Sequence, residues 1–107
     1  MSQFVHPNLN DVPLPIVLHA LGDSVRLQIV QNLAREGELS CAKAAPEQIV
    51  AKSTRSNHFK VLRAAGIVRT RKAGRIYLSS LRREELDERY PGVLDSVLAA
   101  AVDQAAD

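Results

Sequence analysis

The hydrophobic pattern of this chain changes period at Gly66. Between Asp23 and Gly37, Val25, Ile29 and Leu33 recur every fourth residue beside Leu27 and Val30. From Ser53 onward, Arg55, Phe59 and Leu62 form one stripe, with His58, Val61 and Ala65 beside it. Both are patterns of amphipathic helices with one buried face. After Gly66 the helical spacing stops. Ile67-Val68-Arg69-Thr70-Arg71 and Arg75-Ile76-Tyr77-Leu78 are short β-prone runs joined by Lys72-Ala73-Gly74, which predicts a hairpin with a basic tip. With 107 residues there is room for one core, so the chain is expected to be a single domain, mainly α with a small β-hairpin.

The remaining segments fill in the order. Residues 1–12, with Pro7, Asn8 and Asn10, read as an irregular arm. Pro15 suits the first turn of a helix running to about Gly22, whose Ile16, Val17, Leu18, Ala20 and Leu21 are apolar almost all round. Asp23 is a good N-cap for the next helix. Leu39 to Ala45 forms a short third helix that Pro46 ends. A helix over 53–65 follows, with Gly66 at its C′ position, then the hairpin over 67–78. Beyond the charged run from Leu81 to Tyr90, the segment 91–105 opens on a Pro91-Gly92 break and carries Leu94, Val97, Leu98 and Ala101 on a final helix.

Charge is segregated along this order. Residues 52–83 hold ten Lys and Arg and no Asp or Glu, whereas 84–107 hold seven acidic residues and one Arg. Such a block draws a polyanion to one region of the molecule. Helix, helix, short helix, helix, basic hairpin, helix is the order of a winged helix-turn-helix, in which one helix enters the major groove of duplex DNA and the hairpin reaches the minor groove or backbone. Ser53, Thr54, Ser56 and Asn57 are hydrogen-bonding side chains near the N-terminus of the candidate recognition helix, although Ser53 also reads as its N-cap. Lys52, Lys60 and Arg63 suit phosphates, and Arg71, Lys72 and Arg75 flank Gly74 at the wing tip. His58 packs at the base of that helix or touches DNA. With no Trp and two Tyr, the chain has no stacking platform for single strands, so double-stranded DNA is the expected partner.

Other chemistry is thinly provided. One cysteine and three scattered histidines make no nucleophile motif, and there is no phosphate-cradling glycine loop, so neither an enzyme nor a cofactor is expected. Cys41 reads first as a small buried residue and second as a redox sensor, with Lys43 near enough to lower its pKa if it is exposed. No apolar run is long enough to span a membrane and no signal peptide is evident, so a cytoplasmic location is expected.

Two stretches resemble the ArsR-type winged-helix repressors of bacteria. Leu21-Gly22-Asp23-Ser24-Val25-Arg26-Leu27-Gln28-Ile29-Val30 is similar to the family's opening L-x-D-x-x-R-L-x-I-L. Ser56-Asn57-His58-Phe59-Lys60-Val61-Leu62-Arg63-Ala64-Ala65-Gly66-Ile67-Val68 resembles its S-x-H-L-k-x-L-x-x-A-G-L-V, and Gly74-Arg75-Ile76-Tyr77-Leu78 its wing. The resemblance implies a homodimeric transcriptional regulator, usually a repressor, paired through its first and last helices. Ile16, Val17, Leu18, Leu94, Val97, Leu98 and Ala101 would then form the interface, and helices this apolar independently call for cover.

The chain also departs from the family. Where the metal-sensing version carries Glu-Leu-Cys-x-Cys-Asp-Leu, this sequence reads Glu38-Leu39-Ser40-Cys41-Ala42-Lys43-Ala44, with Ser40 and Ala42 in place of the thiolates. No His follows His58, which removes the His and carboxylate site on the last helix, so no metal is expected. Ile49 stands where a glycine is usual in the turn before the recognition helix. The signal is left open among an unknown small molecule, thiol oxidation and the protein's own concentration. The competing reading is a winged-helix module that recruits a protein or binds DNA without sequence preference.

Overall fold

The computed structural model describes residues 4–47 and 51–105, side chains excepted for 103–105. Ile49 and the first three residues of the arm therefore lie outside the described residues. Six helices surround a three-stranded antiparallel sheet: α1 Leu14–Leu21, α2 Ser24–Glu36, β1 Leu39–Ser40, α3 Cys41–Ala44, α4 Lys52–Ala64, β2 Val68–Ala73, β3 Ile76–Leu81, α5 Arg83–Arg89 and α6 Val93–Ala105. This is the mainly helical winged fold expected from the change of period.

Local chemistry explains the boundaries. Pro13 and Pro15 flank the start of α1, where missing N–H groups cost nothing. Asp23 Oδ2 accepts from Val25 N and Arg26 N at 2.9 and 3.0 Å, capping α2, and the Arg26 amide bond leads the causes that hold its carboxyl below the ordinary range. Beyond the end of α4, Gly66 turns the chain with a φ of +76° that suits glycine, and a Cβ there would lie 2.4 Å from Leu9 Cδ2. The core is built from Val17, Leu21, Ile29, Val30, Leu33, Phe59, Leu62, Ile67, Val68, Leu86 and Leu94.

Several boundaries differ from the sequence reading. The arm 1–12 is not irregular throughout: Leu9–Asp11 is a 3-10 turn, and Leu9 and Val12 are buried in the core. Leu39 and Ser40 do not begin a helix, because they pair with Ser79 and Leu78 of β3, so α3 starts at Cys41. α4 starts at Lys52 after Ala51, which leaves Ser53 inside the helix and not at its cap. The hairpin loop is Gly74-Arg75, with Ala73 opposite Ile76, and β3 runs on to Leu81. Gly74 has a φ of +65° and Arg75 is not positive, the pattern of a type II′ turn whose twist matches the strands. The charged run after the wing contains α5, and the last helix begins at Val93 once Gly92 has turned the chain.

Candidate nucleic-acid interface

α4 has two functional sides. Phe59 and Leu62 anchor it in the core, while Ser53, Thr54, Ser56, Asn57 and Lys60 are exposed. Among the described residues, no side-chain hydrogen bond or ion pair engages the polar groups of that outer face. His58 lies on the inward side, its side chain 13% exposed, with Nδ1 3.8 Å from Asp23 Oδ2 and 3.4 Å from an Arg26 guanidinium nitrogen. Arg26 also donates to the backbone oxygens of Ala20 (2.7 Å) and His19 (3.3 Å) at the end of α1. One junction thus ties α1, α2 and α4 together and sets the pose of α4. Sequence reasoning named Asp23 as a cap but missed this junction, whose signal lay in the two separate motifs carrying Asp23, Arg26 and His58.

The ten cations of residues 52–83 divide into two groups. Arg69 and Arg82 both donate to Glu85, at 2.9 and 2.7 Å. These bonds, with that to Arg82 the largest cause, hold the Glu85 carboxyl down to about 2. Arg82 is itself buried and also donates to the Pro7 carbonyl at 2.8 Å. Arg83 pairs with Asp95. Arg71 grips both oxygens of Glu38 at 3.0 and 2.7 Å, which lowers the pKa of that carboxyl. Its expected place as a bare cation at the wing tip is therefore corrected: it belongs to the wing root. Arg63 is half-buried, donating to Thr70 Oγ1 at 3.3 Å with its guanidinium 4.4 Å from the centre of the Phe4 ring. That position does not lie along the exposed face of α4. Lys52, Arg55 and Lys60 on α4, with Lys72 and Arg75 at the wing tip, make no ion pair among the described residues. Arg55 was read as part of the buried stripe and is instead partly exposed.

The arm and the sheet share a polar seam. Thr70 and Ser79, opposite one another on β2 and β3, join hydroxyls at 2.8 Å, and Cys41 Sγ lies 3.3 Å from Ser79 Oγ. Thr70 N donates to His6 Nε2 at 3.1 Å, and the Phe4 ring meets Tyr77 edge-on at 5.4 Å. Cys41 is therefore half-buried at the sheet and not sealed in the core. Of the residues expected at a dimer interface, Ile16 and Leu18 are 47% and 46% exposed, and Val97 and Leu98 are half-buried. Val17, Leu94 and Ala101 are corrected, because each is already buried within the chain.

Comparison with known proteins gives this geometry a family. A family described as "Helix-turn-helix domain" matches residues 21–71. The HTH-type transcriptional regulator YceK of Bacillus subtilis is 39% identical over 82 residues, covering 76% of this chain and 82% of its own. Among solved structures, the transcriptional repressor BigR from Xylella fastidiosa superposes with a TM-score of 0.60 at 27% identity, over 81% of this chain and 84% of its own. An ArsR-like regulator from Rhodococcus sp. RHA1 gives 0.61 at 27% identity, over 87% of this chain and 86% of its own. The chain belongs to the ArsR-type winged helix-turn-helix transcriptional regulators.

As an ArsR-type regulator it carries the family's helix-turn-helix DNA-binding domain, whose matched residues 21–71 include α2, α3 and α4, with the small sheet as wing. The cadmium resistance regulatory protein CadC homolog of Staphylococcus aureus is 32% identical over 79 residues, covering 74% of this chain and 65% of its own. The residues here do not fit a soft metal. Ser40 Oγ caps α3 by accepting from Lys43 N at 3.3 Å, Ala42 has no donor, and Cys41 offers one sulfur. No helix among the described residues is long and apolar enough to cross a membrane.

Proposed function

We propose that this regulator acts as a homodimeric repressor that binds an inverted-repeat operator in double-stranded DNA. The observation that carries this reading is the division of the cations. The only five in the basic block left without a structural partner among the described residues lie on α4 and the wing tip. Thr54 and Asn57, with Ser53 and Ser56 nearer the helix start, read base edges in the major groove, and Lys52 and Lys60 hold phosphates. Lys72 and Arg75 reach the adjacent minor groove. His58, Arg63 and Arg71 act from behind, by fixing α4 and the wing. The exposed Ile16, Leu18 and Val102, continued by Val97 and Leu98, supply the apolar face that a second copy covers. A two-fold dimer places its two recognition helices about 34 Å apart, one turn of B-DNA.

Selection of sites from a random duplex pool at near-physiological salt, with light scattering to give the oligomeric state, tests this directly. Enrichment of an inverted repeat by a dimer is the expected outcome. A monomer, or binding to all duplexes alike, overturns it in favour of a nonspecific or protein-recruiting module.

A further inference from the structure

Between α4, the start of α3, the wing sheet and the arm lies a cavity of about 280 Å³, near the lower end of the roughly 300–1,000 Å³ typical of small-molecule sites. Phe4, Phe59 and Tyr77 give it aromatic walls. Lys52, Arg55 and Arg63 give it three cations, and no acidic residue among the described ones lines it. Arg63 is the unusual member. Arg69, Arg71, Arg82 and Arg83 each meet a carboxylate, yet the half-buried Arg63 has none among the described residues. Among the described residues one of its five N–H donors is used, on Thr70 Oγ1, and the Phe4 ring lies against the guanidinium without supplying a counter-charge. Burial lowers its pKa, the sign that its charge is poorly solvated.

A partly desolvated guanidinium without a counter-ion is costly, and an anion offsets that cost. The walls decide which anion. Inorganic phosphate satisfies the cations but gains nothing from three rings, a neutral aromatic leaves the charges unanswered, and a metal cation meets three positive groups and one thiol. We propose that this cavity binds a small aromatic carboxylate, its ring among Phe4, Phe59 and Tyr77 and its carboxylate on Arg63 and the Lys52–Arg55 pair at the mouth. Binding forms no covalent bond, and Cys41 stays on Ser79. Lys52 and Arg55 also face the DNA side of α4, so ligand and DNA compete for the same cations and each weakens the other equally. That consequence rests on the proposed DNA-binding role, whereas ligand binding does not.

Calorimetric titration of the full chain with benzoate, against benzyl alcohol, acetate and inorganic phosphate, tests the site without DNA. Benzoate is expected to bind with a Kd of about 1 mM or tighter, at least about tenfold more tightly than each comparison compound. Arg63→Gln should weaken it about tenfold, and so should Lys52→Gln with Arg55→Gln, a surface pair whose loss leaves the fold intact if Arg63→Gln does not. Benzoate binding no tighter than benzyl alcohol or phosphate, or unchanged in the folded variants, overturns the proposal. With duplex DNA present, saturating benzoate should lower DNA affinity about tenfold. Benzoate that binds as expected but leaves DNA affinity untouched keeps the site and overturns the competition. Benzoate binding by a protein that engages no duplex overturns only the DNA-binding role.

Discussion

The root and the tip of the wing are built from the same residue types and do opposite work. At the root, Arg69 and Arg82 converge on Glu85, Arg83 on Asp95 and Arg71 on Glu38. At the tip, Lys72 and Arg75 have no carboxylate partner among the described residues. In sequence these cations form one run, and the acidic stretch after residue 83 looks like a separate feature. In the fold, α5 and α6 bring Glu85 and Asp95 back against the root, so much of its charge is cancelled within a Debye length. A basic run is therefore not a surface potential. What a polyanion meets is the remainder after folding, concentrated on α4 and the tip.

If the root is structural, its loss should appear in stability first. Arg82→Met removes a buried guanidinium that holds Glu85 and the Pro7 carbonyl, and should destabilise by about 3 kcal/mol, near the low end for breaking a buried pair because Glu85 is partly exposed. Urea unfolding measures this. The salt dependence of DNA binding by the folded variant should stay close to that of the parent, and a reduced slope would erase the distinction between root and tip. Asn57→Ala should behave in reverse. Its side chain is exposed on α4, so stability should move by no more than about 0.5 kcal/mol, while discrimination between operator and scrambled duplex should fall by about 1–3 kcal/mol. Equal weakening on both duplexes would make Asn57 a phosphate contact.

What the sequence made legible follows the range of the interactions. The Asp23 cap, the Phe59 and Leu62 anchors of α4 and the Gly66 stop are local, set by side chains within a turn or two of their effect, and appear where the pattern places them, whereas Arg55 of the same stripe does not. The strand at Leu39–Ser40 depends on β3, about forty residues away, and two residues carry no period. The ordered arm likewise depends on partners no local rule supplies: Arg82 for Pro7, Thr70 for His6 and a gap beside Gly66 for Leu9. Candidate DNA residues were legible by type, since polar and basic side chains on a helix face and a hairpin tip have few other uses. Which of them folding consumes was not. Arg63 and Arg71 look like Lys60 and Arg75 until Thr70, Phe4 and Glu38 are brought beside them.

Acid should loosen the arm before the root. His6 accepts a bond from Thr70 N, which needs the neutral ring, and burial, then the nearby arginines, lowers its pKa from the ordinary 6.5. The folded state favours neutral imidazole, so this contribution is full above about pH 6.5 and is lost as pH falls below that value toward the lower folded one. Glu85 follows: its contribution is full above about 4.5 and is lost as pH falls toward about 2. Its side chain is 42% exposed, so screening reduces the contribution to about 1 kcal/mol. Urea midpoints across the acid range should show both steps, with the first missing in His6→Ala and the second shrunken in Arg82→Met. A first step unchanged in His6→Ala would assign it to another histidine.

The smallest expected effect is also the sharpest test of the wing. Lys72→Ala should lower the slope of log affinity against log salt by about 1, the loss of one cation from the minor-groove wall where it neutralises the flanking phosphates, without changing stability. Arg71→Ala, at the neighbouring position, should lower it less, because its guanidinium is already held by both oxygens of Glu38. Arg71 and Glu38 are 58% and 35% exposed, so the pair is open to solvent, and among the described residues Glu38 is the one polar partner of the Arg71 guanidinium. Glu38→Gln then converts root into tip. With the carboxylate gone, Arg71 should turn toward DNA, and affinity for any duplex should rise together with the salt slope. If Glu38→Gln leaves both unchanged, strand geometry and not charge pairing separates the two halves of the wing.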